Sequence, residues 1–157
     1  ELLYNLGLKE NEDVIFCSPY QNMIGFPPNY MADLYRSLDV HMLVSAGEGF
    51  GIPTLEAQAC GCPVIVGDWT AMSELCWSGR MVSKDDAEKV YTNLAAYQYK
   101  PRVRAIELAL ENEYKNPSSP KRGIEKAQEY DADLVAEKYW MPTLAAIEED
   151  VNEQMAK

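Results

Sequence analysis

Two carboxylates, Glu48 and Glu56, lie within the run Ser45-Ala46-Gly47-Glu48-Gly49-Phe50-Gly51-Ile52-Pro53-Thr54-Leu55-Glu56-Ala57-Gln58-Ala59-Cys60-Gly61-Cys62-Pro63-Val64-Ile65-Val66. Pro53 has a fixed φ and no N–H, which suits the first helical position, so the unpaired amides of Thr54, Leu55 and Glu56 are expected to point back into the loop. Amides arranged in this way could hold an anion. Gly49 and Gly51 carry no Cβ on either side of Phe50, which lets backbone approach a ligand and permits a positive φ where the loop turns. Glu48 and Glu56 then offer acceptors to hydroxyl donors, and bonds of this charge-assisted kind are worth roughly 1.5–3 kcal/mol each. An anion flanked by hydroxyls suggests a sugar phosphate or a nucleotide sugar. The same residues also have a purely local explanation. Glu56 would favour the helix macrodipole, Glu48 would be a solvated loop acid, and the glycines would serve a tight turn.

The elements that must position these groups follow from the flanking pattern. His41-Met42-Leu43-Val44 is an apolar strand feeding the loop, and Val64-Ile65-Val66 follows the helix after a Gly61 cap and Pro63. Consecutive apolar strands separated by helices predict an α/β fold with a Rossmann-like parallel sheet and helices on both faces. Ligands of such sheets sit beyond the carboxyl ends of the strands, where this loop lies. His41 sits on the strand as a structural residue.

The run Glu48-Gly49-Phe50-Gly51-Ile52-Pro53-Thr54-Leu55-Glu56-Ala57-Gln58-Ala59-Cys60-Gly61-Cys62-Pro63-Val64 resembles the signature of the family 4 retaining glycosyltransferases, matching every signature position. Their pattern is two glutamates separated by seven residues, embedded in Glu-Gly-Phe-Gly-x-Pro-x-x-Glu-Ala-x-Ala-x-Gly-x-Pro-Val. The resemblance extends upstream through Leu34-Tyr35-Arg36-Ser37-Leu38-Asp39-Val40, and more loosely downstream to Ser73-Glu74-Leu75 and the C-terminal helix.

The resemblance implies the C-terminal, donor-binding half of a GT-B fold, incomplete at its start. Glu48 would bond hydroxyls of the donor sugar and serve as the catalytic carboxylate. The amides around Gly49, Phe50 and Gly51 would meet sugar and diphosphate, the Thr54 and Leu55 amides would cradle the phosphates, and Glu56 would take the ribose hydroxyls. Pro19 and Tyr20 fall where family members place a loop near the base. The implied chemistry is retaining transfer of a hexose from a UDP-, GDP- or ADP-sugar to an acceptor, with no cofactor and no obligatory metal. The acceptor-binding N-terminal domain, and the strand and helix that usually give the diphosphate an Arg and a Lys, are not in this chain. Alone it is expected to be inactive. Gly67-Asp68-Trp69-Thr70-Ala71-Met72-Ser73-Glu74 departs from the family's glycine-rich turn by its bulky Trp69. The alternatives are a non-catalytic nucleotide-binding or interaction module that kept the fold, and an unrelated nucleotide-binding Rossmann-like protein.

Composition bounds these expectations without producing them. A length of 157 residues with 47% hydrophobic content suits one domain over 1–157. Fourteen Lys and Arg against 25 Asp and Glu give a net charge of −11, which argues against nucleic acid or an anionic membrane as the main partner. No apolar run approaches the roughly 20 residues of a transmembrane helix and no signal-peptide pattern opens the chain, so a cytoplasmic setting is expected. Cys17, Cys60, Cys62 and Cys76 do not form a disulfide framework, and Cys60-Gly61-Cys62 is too close for a zinc knuckle.

Leu2, Leu3 and Leu6 share a helical face ended by Gly7, so the chain reads as starting within a helix, a C-terminal fragment or truncated product. Val14-Ile15-Phe16-Cys17 is expected as a strand, Ser18 to Asn29 as a loop, and Tyr30 to Ser37 as a helix. A short helix over Ala71–Leu75 and a strand at Arg80-Met81-Val82 complete the predicted core. Residues 84–157 are expected to be mainly helical. Ala87, Val90, Tyr91, Leu94 and Ala95 keep one helical stripe, and Ile106, Leu110 and Tyr114 keep another. Pro117 to Pro120 marks a turn. A last helix from about Asp131 is expected to bury Leu134, Val135, Tyr139, Leu144, Ile147 and Val151, with a kink at Pro142. Tyr139-Trp140-Met141-Pro142 resembles the family's crossing back toward the N-terminal domain, or equally an aromatic anchor on this domain's own core.

Overall fold

A computed structural model describes residues 1–93 and 95–155, so the expectation placed on Leu94 lies outside the described residues. The chain forms two compact units, Glu1–Asp33 and Leu34–Lys157.

The first unit opens with α1, Leu2–Asn5, after which Gly7 takes φ 70°. The strand expected at Val14–Cys17 does not form. Lys9 carbonyl instead collects the amides of Asp13 and Val14 in a turn, and only an isolated bridge joins Glu10 to Val14. An apolar run of four residues needs a neighbouring strand to satisfy its backbone, and within this unit none is offered. The expected loop after Ser18 is likewise corrected. Pro19–Ile24 is a helix, α2, because Ser18 caps it by accepting the Gln21 amide at 3.1 Å and Pro19 stands in its first turn, where a missing N–H is harmless. Pro28 starts α3, Pro28–Ser37, in the same way, and the division between the units falls within that helix.

The second unit holds a three-stranded parallel sheet in the order β1-β2-β3, formed by His41–Leu43, Val64–Gly67 and Gly79–Val82. His41 pairs with Val64 and Val64 with Gly79. All four residues of β2 are buried, with Val64, Ile65 and Val66 fully so. Successive side chains of a strand point to opposite faces, so a fully buried β2 means that both faces are covered. Helix α4, Ile52–Ala59, joins β1 to β2, and Thr70–Ser73 forms a 3₁₀ turn where a short helix is expected after β2.

The helical stripe expected over residues 87–95 is overturned. Ala87–Tyr91 and Tyr97–Pro101 are strands β4 and β5 of an antiparallel hairpin. Apolar residues at helical spacing were present, but Tyr97-Gln98-Tyr99-Lys100 also alternates with period two, and cross-strand contacts decide between the two. The Tyr91 and Tyr97 rings meet at 5.2 Å and Lys89 lies 3.9 Å over Tyr97. Ala95, which the helical stripe included, lies in the hairpin loop at φ 55°.

Helix follows from α5, Val103–Lys115, through α6, Lys121–Gln128, and α7, Ala132–Val135, to α8, Met141–Met155. A π-helical stretch, Ala136–Trp140, precedes Pro142, which cannot donate an amide to the turn before it. Leu134, Tyr139, Leu144, Ile147 and Val151 are exposed, against the expectation of a buried side. The stripe exists in sequence, yet among the described residues these five side chains stay largely uncovered.

Candidate functional site

The run singled out in sequence leaves the carboxyl end of β1, turns at Gly51 and enters α4. Gly51 adopts φ 95° as the N-cap, a left-handed conformation that a side chain would strain. A Cβ at Gly49 would meet nothing within 4 Å, so the outer side of the loop is open. Pro53 stands second in α4, one place later than expected, behind Ile52.

Glu48 is half-buried. The Ser45 hydroxyl donates to its Oε1 at 2.8 Å, and its own amide donates to Thr70 Oγ1 at 3.2 Å. Thr70 sits at φ 55°, an uncommon place for a β-branched residue, and donates its hydroxyl to the Trp69 carbonyl at 2.7 Å. The buried Trp69 indole donates to the Ser45 carbonyl at 2.9 Å and stacks on Tyr99, with ring centroids 5.6 Å apart. The Tyr99 amide in turn donates to the Ala46 carbonyl at 3.0 Å. The bulky residue that departs from the family's glycine-rich turn therefore braces the loop from beneath.

Glu56 is exposed on α4, and the buried Tyr35 donates its hydroxyl to Oε2 at 3.2 Å. Burial, reinforced by the adjacent Glu56 charge, pushes the Tyr35 phenol up to about 12. His41 meets the Tyr35 ring edge-on at 5.5 Å, and its imidazole is lowered below its ordinary value by burial, opposed by Glu56. Its Nε2 is buried with no hydrogen-bond partner among the described residues.

The structure thus holds the two carboxylates on one loop-and-helix unit, Glu48 bonded by the Ser45 hydroxyl of the same loop and Glu56 by the Tyr35 hydroxyl of α3. The amides behave less uniformly. Thr54 is fully buried and its amide already donates to the Gly51 carbonyl at 2.9 Å, so it is not a free donor at the helix start. Leu55 is half-buried and lines a half-open cavity of about 580 Å³ together with Phe50, Tyr130, Val135 and Tyr139. Phe50 meets Tyr130 edge-on at 5.8 Å, and Trp77 lies 5.6 Å from the same ring. A larger cavity of about 730 Å³ lies between the amino ends of β1 and β2 and α5, away from both glutamates. Pro19 and Tyr20 belong to the first unit, where they open α2.

Sequence reasoning passed over Tyr35, Ser45, Thr70 and Gln58. Gln58 is buried inside α4, where its Nε2 donates to the Thr54 and Leu75 carbonyls at 3.1 and 2.7 Å. Its Oε1 accepts the Trp77 and Ser78 amides at 3.0 and 2.9 Å, so every polar position is satisfied. Ser45 was detectable as a hydroxyl three residues before an acid. Tyr35 lies 21 residues from Glu56 and carried no such signal.

Among the described residues no three His, Cys, Asp or Glu side chains gather as metal ligands, and no helix is long and apolar enough to cross a membrane. The family described as glycosyl transferases group 1 matches residues 5–97. A D-inositol 3-phosphate glycosyltransferase of Rhodococcus opacus is 32% identical over 120 residues, which cover 74% of this chain and 25% of that protein. One from Saccharomonospora viridis is 38% identical over 79 residues, 48% of this chain and 18% of its own length. The lipopolysaccharide core biosynthesis mannosyltransferase LpsB of Rhizobium meliloti is 37% identical over 79 residues, 46% of this chain and 22% of its own. The chain spans about a quarter or less of the length of these curated relatives. No solved structure matches it.

Proposed function

The chain belongs to the glycosyl transferases of group 1, and from that premise we propose that it supplies the donor-binding part of a retaining family 4 enzyme that moves a hexose from a nucleotide diphosphate sugar. The observation that carries the proposal is the pair Glu48 and Glu56. Glu48 lies in the loop just beyond the carboxyl end of β1 and Glu56 in the helix that follows, each bonded by a hydroxyl. A carboxylate with one oxygen engaged by one donor retains free lone pairs for substrate hydroxyls.

Glu48 takes hydroxyls of the donor sugar near the reacting carbon, and Glu56 takes the ribose. The open backbone at Gly49, Phe50 and Gly51 approaches the diphosphate ahead of α4, where the Thr54 amide is already committed to the Gly51 carbonyl. With a chain charge of −11, the phosphates are held by local dipoles against an unfavourable overall field. The acceptor is bound by residues outside this chain, consistent with the small share of each relative that it covers.

Calorimetric titration with UDP, GDP, ADP and their hexose conjugates tests this. Selective binding is expected for one base. Loss of the ribose contact in Glu56→Ala weakens it by about 1.5–3 kcal/mol, roughly ten- to 150-fold. Glu48→Ala is expected to weaken the sugar conjugate more than the bare diphosphate. Binding that ignores both substitutions would remove the donor site from this loop.

A further inference from the structure

We propose that Tyr35 is a positioning residue for the ribose of the donor nucleotide: its hydroxyl holds the Glu56 carboxylate in one orientation, so that the second oxygen faces the ribose. The inference rests on the donor-site reading of Glu56 and adds to it a residue from a different helix.

The geometry has three parts. Glu56 is exposed on α4, and a glutamate there has three side-chain torsions to arrest before it can accept two hydroxyls at once. Tyr35 is 5% exposed, so the phenol is packed into the unit and its hydroxyl cannot wander with the carboxylate. The bond runs from Tyr35 Oη to Glu56 Oε2 at 3.2 Å, and no bond from a described residue is directed at Oε1. His41 lies against the Tyr35 ring at 90°, which supports the ring from the strand side. Because burial and the Glu56 charge keep the phenol protonated until far above neutrality, the hydroxyl is a donor throughout any physiological range. A fixed neutral donor lowers the ordering cost of binding without cancelling the charge that the ribose hydroxyls need.

The test compares UDP, GDP and ADP with their 2′,3′-dideoxy counterparts on the unmodified chain, Tyr35→Phe, Glu56→Ala and the double variant. Tyr35→Phe is expected to weaken the ribonucleotide about three- to tenfold, to leave the dideoxy nucleotide unchanged, and to add nothing in the Glu56→Ala background. Equal weakening of both nucleotides would make Tyr35 a structural residue only and overturn the proposal, as would an unchanged ribonucleotide affinity. An unmodified chain that does not distinguish the two nucleotides overturns the ribose role of Glu56 itself, and the Tyr35 role with it. A measurement on the unmodified chain guards against a folding defect in the variant. The ¹³Cζ resonance of Tyr35 is expected to shift on adding ribonucleotide but not dideoxynucleotide, and an unmoved resonance sinks the idea.

Discussion

The indole N–H of Trp69 donates to the carbonyl of Ser45 at 2.9 Å, and this bond ties the segment after β2 to the start of the loop that carries Glu48. Ser45 spends its hydroxyl on Glu48 Oε1 and its carbonyl on Trp69, so one residue connects the carboxylate to the buried aromatic layer. Tyr99 lies on the other side of the indole and takes the next carbonyl, that of Ala46. Two consecutive carbonyls of the loop are therefore claimed by elements 24 and 53 residues further along the chain.

Trp69→Phe keeps an aromatic ring but removes the donor, leaving the Ser45 carbonyl without its partner. The expected loss is about 1–3 kcal/mol of stability, measured by urea denaturation. An unchanged midpoint would show that the bond contributes nothing to the loop.

Gly67→Ala tests how closely the indole is packed. A Cβ at Gly67 would lie 2.3 Å from two indole carbons, far inside contact distance, so the ring must move. The expected cost is about 1–3 kcal/mol, and it should shrink when Trp69 is also replaced by leucine. Additive effects in that double-mutant cycle would contradict the contact.

Gln58→Leu leaves the amides of Trp77 and Ser78 and the carbonyl of Leu75 in a buried place without their partner. Each orphaned group costs about 1–3 kcal/mol, so the total should reach at least about 3 kcal/mol. Hydrogen exchange at the Trp77 and Ser78 amides should quicken more than exchange within β2. Equal acceleration everywhere would point to global loosening instead.

Tyr35 gives a pH signature. Its phenol titrates at about 12 in the folded chain against 10.0 when unperturbed, so between these values the folded state keeps a proton that the unfolded state has released. The contribution is complete below pH 10 and is lost as pH rises through 12. The stability difference between the unmodified chain and Tyr35→Phe should therefore narrow across that window. A difference that stays constant over the whole window would mean that the phenol is not held protonated by the fold.

Much of the site was legible because its signal is local. Gly51 and Pro53 mark the loop-to-helix joint by backbone conformation alone, and the alternation of apolar strands with α4 announces a parallel sheet. Where local signals competed, sequence failed in ways that can be traced. Pro19 and Pro28 were read as loop residues although proline is equally suited to a first helical turn, and Ser18 supplied the cap. Residues 87–95 carried a helical stripe, yet the alternating tyrosines of β5 and a bond from Tyr99 to Ala46 made a hairpin there. Leu144, Ile147 and Val151 carry a helical stripe, but a stripe does not specify what covers it.

By itself the sequence determined the carboxylate pair, the glycine turn and the strand-helix-strand order, because those depend on residue type and on spacing within a few turns of chain. Only the tertiary structure decided which groups hold the carboxylates. Tyr35 reaches Glu56 across 21 residues, Thr70 reaches the Glu48 amide across 22, and Trp69 reaches Ser45 across 24. A side-chain hydrogen bond is satisfied by whatever polar atom packing brings to within about 3 Å, and no periodicity in the chain records which atom that will be.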